Sequence, residues 1–254
     1  MTGFRAFLGK ELGETLHTWR IWVLPGFLLF SALTAPLVTY FMPALMDMLG
    51  SEETGLAIQV PDPTAAAAFV EYLGNLRDIV MLALVIAYGG IVSSELRSGT
   101  GALTLAKPLS RSAFVFTKWL SQLLVIAAAG VAGTVICIGI TGALLGGGPT
   151  AALAAGVGLW FAFAAFLLSA MVLLSVTLRA PAAASGAGVG IYIALTVIGQ
   201  FELLSRSSPA GLMSAGIKLV LGQPTTWAVP LLTALAATAV LLAVAVWLFG
   251  RREI

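Results

Sequence analysis

The sequence predicts an all-α, polytopic membrane protein with six transmembrane helices, an N-terminal amphipathic interfacial helix and both termini in the cytoplasm. Three observations carry this. Of the 254 residues, 59% are hydrophobic and only 9% are charged. A soluble domain carries roughly a quarter charged residues, so the main solvent of this chain is lipid. Several apolar runs reach about 20 residues, enough to cross a hydrocarbon core of roughly 30 Å. These runs are continuous, whereas a transmembrane β-barrel needs short alternating segments.

Residues 3–20 do not span. Phe4, Phe7, Leu8, Leu12, Leu16 and Trp19 recur at helical spacing, with Lys10, Glu14 and His17 on the opposite face. Such a helix lies in the membrane interface. The first span is expected over 21–46, with Pro25, Pro36 and Pro43 in or near it. It starts too late and runs too long for a cleaved signal peptide, so it is expected to be retained as an anchor. The second span is expected over 76–93. Its purely apolar part is short, so it crosses only if Asn75 to Asp78 lie near the outer interface.

The remaining spans are expected over 119–145, 151–178, 182–201 and 227–249. Gly146 to Pro149 read as a tight turn. Residues 202–226 form an external segment in which the apolar stretch 210–221, between Pro209 and Pro224, suits an interfacial or re-entrant helix. In span five, Ala182, Gly186 and Gly190 form a small-residue ladder that lets two helices approach closely. The orientation comes from the basic residues: with the N-terminus inside, ten of the thirteen Lys and Arg are cytoplasmic and three are external. Asp47, Glu52, Glu53, Asp62, Glu71 and Asp78 then cluster outside.

Several function classes are excluded. A net charge of +2 offers nothing to nucleic acid. A single histidine, His17, and a single cysteine, Cys137, make no metal centre. Lys10 lacks the upstream glycine of a Walker A loop, and the GAGVG run at 186–190 lacks dinucleotide-binding spacing. Hydrolysis needs a base within reach of a nucleophile, and the single histidine lies on the N-terminal interfacial helix. The polar candidates are Glu71, Asn75 and Asp78, which share one helical face at the outer end of span two. They are either an interfacial polar face or the lining of an external vestibule. With no other ionisable group deep in a span, energy for transport has to come from elsewhere.

That leaves the cytoplasmic loop 94–117. A plain positive-inside loop needs only basic residues, yet SSELRSGTGALTLAKPLSR at 93–111 has more pattern. Glu95 is followed by Gly99 and Thr100, the apolar Leu103 and Leu105, then Pro108, Ser110, Arg111 and Lys118. The glycines can end the helix leaving span two, and Ser110 can cap the one entering span three. Leucines on a cytoplasmic loop suit either a docking surface or membrane contact.

This pattern resembles the permease subunits of ABC-2 type ABC transporters. Their first cytoplasmic loop carries a Glu, a Gly-Thr pair, Pro-x-Ser-Arg and a Lys entering the next span. The resemblance covers nearly the whole chain. It implies a coupling helix that docks on separate cytoplasmic ABC ATPase subunits, with Glu95, Gly99, Thr100, Leu103, Leu105, Pro108 and Arg111 at the contact. It implies that residues 3–20 are the elbow helix, that ATP and Mg are bound by the ATPase and not by this chain, and that a second copy or a related permease completes the transporter. It also implies a bacterial cell-membrane exporter whose cavity is lined by spans one, two and five. A membrane scaffold that recruits a soluble partner, or an ion-coupled carrier, are the alternatives that the residues alone leave open.

Overall fold

The computed structural model describes residues 20–50, 62–98 and 110–251, together with positions 7, 9, 11 and 13. Among these residues there are helices and connecting turns but no strand. Six helices are long and apolar enough to cross a membrane: Trp22–Met48, Ala65–Glu95, Arg111–Leu145, Thr150–Thr177, Pro181–Gln200 and Ala228–Gly250. They are spans one to six below. Most of the expected interfacial helix over 3–20 lies outside the described residues, as does the centre of the loop, including Gly99, Thr100, Leu103, Leu105 and Pro108.

Two helices begin well before their apolar runs, because each has a capping hydroxyl. Thr64 accepts from the Ala67 backbone N–H at 3.2 Å, which starts span two at Ala65. Ser110 accepts from the Ala113 N–H at 3.2 Å, which starts span three at Arg111. An N-cap hydroxyl satisfies one of the orphan donors of the first turn. Residues that hydropathy assigns to loops are thereby drawn into the bundle. Span one runs as one helix, Arg20–Gly50, through Pro25, Pro36 and Pro43, as membrane helices tolerate.

Spans two and four are the most buried of the six. Phe69, Tyr72, Leu76, Met81 and Leu84 from span two meet Phe163, Leu167, Leu168 and Met171 from span four in one core. The hydroxyls inside spans bond back to their own helix: Thr134 to Gly130 O at 2.7 Å, Ser169 to Ala165 O at 2.7 Å and Thr238 to Ala234 O at 2.8 Å. That keeps their polar atoms satisfied away from water. Span two breaks at 89–92 before the short helix Ser93–Ser98. Ser175 of span four holds the break by accepting from Val92 N at 2.9 Å and Ser93 N at 3.0 Å.

Span five docks through a different face from the one the glycine ladder suggests. Ala182, Gly186 and Gly190 are exposed, while Ala184, Gly188 and Tyr192 are buried. A Cβ on Gly188 would lie 2.4 Å from Met171 Sδ and 2.7 Å from Val85 Cγ1. At Gly89 of span two it would lie 2.0 Å from Ser185 Oγ. Close approach therefore depends on one glycine from each helix. Between spans five and six, the short helix Glu202–Ser205 stays against span five, and the helix Gly211–Val220 folds back onto span four. There a Cβ on Gly216 would lie 3.2 Å from Gly156 Cα.

Leucine at the two faces of span five separates these roles. Gly188→Leu should lower the stability of the detergent-purified protein by about 1–3 kcal/mol through overpacking. Gly186→Leu should leave the single chain's thermal unfolding unchanged, and equal effects of the two would refute the assigned face.

Candidate functional site

Two polar constellations stand out against the apolar bundle. The first is at the end where span two finishes and span three begins. Ser110 starts the span three helix two turns before Lys118, so Lys118 points into the bundle and its side chain is only 3% exposed. Its ammonium donates to Glu11 Oε2 at 2.9 Å and to Glu95 Oε1. The Glu11 side chain is 6% exposed and that of Glu95 24% exposed. The same ammonium lies 5.1 Å from the centre of the Phe114 ring. One cation thus ties position 11, the Ser93–Ser98 helix and span three together.

Aromatic packing reinforces the junction. Phe7 stacks on Phe114 at 5.9 Å, and Phe114 stacks on Phe249 of span six at 5.3 Å. Arg111 donates from Nη1 to Gly250 O at 3.1 Å, at the C-terminus of span six. A cation there satisfies an orphan carbonyl and complements the helix dipole. Both Arg111 and Glu95, expected at the coupling contact, therefore also hold the bundle's end. Gly99, Thr100, Leu103, Leu105 and Pro108 lie outside the described residues. Glu11 was missed as a site residue because hydropathy gives it no role. The available signal was its position one turn beyond Phe7 on the apolar side of the helix.

The second constellation is in span two. The helix is α-helical over Ala65–Asn75, a π-helix over Leu76–Val80 and α-helical again over Met81–Tyr88. π segments displace backbone carbonyls from their usual partners. Here Trp160 Nε1 of span four donates to Leu76 O at 3.0 Å, and the Tyr192 hydroxyl of span five donates to Arg77 O. Asp78 is bound by its neighbour Arg77 through two hydrogen bonds of 2.9 Å each. That bidentate pair offsets much of the penalty of placing a charge in an apolar bundle.

Asn75 to Asp78 are expected near the outer interface, and the helix that carries them is longer than the expected span 76–93. Because the helix begins at Ala65, Asp78 lies about 20 Å along it. Its neighbours Trp160 and Tyr192 are well inside their own spans. Glu71 is exposed, Asn75 is half-buried, and Asp78 is 54% exposed on a groove of about 450 Å³ that also takes in Val23 and Phe27 of span one. No hydrogen bond joins Glu71, Asn75 and Asp78 among the described residues.

The pattern of the ABC-2 family transporter protein matches residues 5–254. The chain belongs to the ABC-2 family. By that membership, and by its six apolar helices, it is a multi-pass membrane protein of a transporter family. An uncharacterized transmembrane protein, YxlG of Bacillus subtilis (strain 168), is 27% identical over 117 residues. That match covers 46% of this chain and 45% of the relative, so the chain matches about half the length of that protein.

Breaking the first constellation from its centre should be costly. Lys118→Met leaves two carboxylates facing each other without a cation and should destabilise the protein by about 3–5 kcal/mol in unfolding measurements. In the second, Trp160→Phe leaves the Leu76 carbonyl without its donor and should cost about 1–3 kcal/mol. A cost near zero for either would show that the contact does not form.

Proposed function

We propose that this chain is the permease subunit of an ATP-driven exporter whose segment 94–117 docks on a separate cytoplasmic ABC ATPase. The observation that carries the reading is the Lys118 junction. The Ser93–Ser98 helix and the start of span three flank the loop on either side, and Lys118 clamps both to each other and to Glu11. A push on the loop reaches spans two and three together instead of being lost in a flexible connection. Span two carries the Arg77–Asp78 pair and borders the groove with span one, so its movement changes the surface offered to cargo.

The excess of basic residues at this end supports a cytoplasmic position for it. ATP and Mg are bound and turned over by the partner, and this chain supplies alternating access to the two sides. A second copy or a related permease faces the open side of the molecule. The exposed Ala182, Gly186 and Gly190 of span five, and the exposed Phe30 and Phe41 of span one, suit a protein or lipid neighbour. Asp78 is bonded through both carboxylate oxygens to Arg77, which gives an ion-coupled carrier little to work with.

Co-purification tests the reading. The wild-type chain should bring down an ABC ATPase from its native membrane. Thr100→Arg or Leu103→Asp should abolish that association while the protein remains monodisperse and equally stable. Recovery of a soluble partner without ATPase activity would favour a scaffold, and unchanged association in both variants would refute the docking contact.

A further inference from the structure

The far end of the bundle, opposite the Lys118 junction, holds a polar cavity that the transport reading does not use. It has a volume of about 390 Å³ and lies between the Glu202–Ser205 and Gly211–Val220 helices and the chain entering span six. That size is within the usual range of about 300–1,000 Å³ for ligand pockets. Arg206, Lys218, Thr225 and Thr226 line it as donors, and Glu202 lines it as the one carboxylate.

The local backbone holds this arrangement in place. The Gly211–Val220 helix ends in a paired turn: Gln223 N donates to Lys218 O at 2.9 Å and Gly222 N to Leu219 O at 3.1 Å, with Gly222 at φ +66°. This Schellman closure turns the chain back, so that Thr225 and Thr226 come to the same cavity as Lys218. On the other side a Cβ on Gly211 would lie 1.9 Å from Ser205 O, so the 205–211 turn is closed against the second helix.

The charges leave a surplus. Arg206 pairs with Glu202 one turn away. The Lys218 ammonium has no ion pair or hydrogen bond among the described residues, so the two cations and one carboxylate leave the lining at +1. Around the cavity, Leu203 is 83% exposed, and Leu204, Leu221 and Trp227 are exposed as well. An aromatic and leucine rim beside a cationic cavity at a helix-bundle end is the setting of a membrane interface.

We propose that this cavity binds the phosphodiester of a phospholipid headgroup, with Lys218 and Arg206 as its cationic donors. A phosphodiester carries a single negative charge, which matches the +1 lining, and its chains would lie along the exposed leucines. Lysine and arginine both bind phosphate through charge-assisted hydrogen bonds. The proposal does not depend on an ATPase partner, and its test involves no nucleotide.

The test is native mass spectrometry of the full chain in detergent with added phosphatidylglycerol. The wild type should retain the lipid, and Lys218→Gln combined with Arg206→Gln should retain roughly tenfold less. Lys218→Arg, which keeps the charge, should retain it as the wild type does, and an unchanged elution profile excludes misfolding of the double variant. Equal retention by wild type and double variant would overturn the proposal. Displacement of the lipid by glycerol phosphate at equal concentration would overturn the lipid assignment in favour of a soluble phosphate compound.

Discussion

A lysine inside an apolar bundle is tenable only if its charge is matched, and Lys118 determines how one end of this protein is built. Its ammonium is nearly inaccessible and is shared by Glu11 and Glu95. Burying a charge costs several kcal/mol, so the three side chains hold only as a set. That requirement fixes three backbone elements relative to one another. The phenylalanine stack of Phe7, Phe114 and Phe249 and the Arg111 cap on span six then extend the junction to the chain's last span. These contacts cross-link the end of the bundle that bears the loop.

Span two shows the same constraint at another depth. Its π segment frees carbonyls, and each finds a donor on a neighbouring span, Trp160 or Tyr192. The charges of Arg77 and Asp78 are paired side by side. Span two is therefore buried along most of its length yet interrupted twice, at the π segment and at the 89–92 turn. A helix with two such interruptions has places to bend, and both are fastened to span four, at Trp160 and at Ser175. The broken helix in the centre links the loop end to the groove beside span one.

Hydropathy made the six spans and the all-α class legible, because lipid imposes a simple rule on composition. The loop motif made the family legible, through Glu95, the Gly99-Thr100 pair, Pro108, Arg111 and Lys118. Hydropathy alone does not show where helices start when a hydroxyl cap lies outside the apolar run; the hydroxyls of Thr64 and Ser110 are the signal that does. Lys118 is legible as a lysine entering span three, but the two carboxylates that meet it are not. The exposed ladder of span five shows a related limit. Ala182, Gly186 and Gly190 and the buried Ala184, Gly188 and Tyr192 both recur every four residues, and only the contacts with Met171 and Val85 decide which face packs. Glu11 acquires its role from Lys118, a partner 107 residues away.

The measurement that tests the shared lysine most directly is a double-mutant cycle on Glu11→Gln and Glu95→Gln, read by equilibrium unfolding in mixed micelles. With either carboxylate removed, the other still balances Lys118. With both removed, a buried ammonium has no counter-charge. The double variant should therefore lose more stability than the two single variants together, by at least about 1 kcal/mol. Strictly additive losses would mean that Glu11 and Glu95 act independently and that Lys118 does not join the three elements.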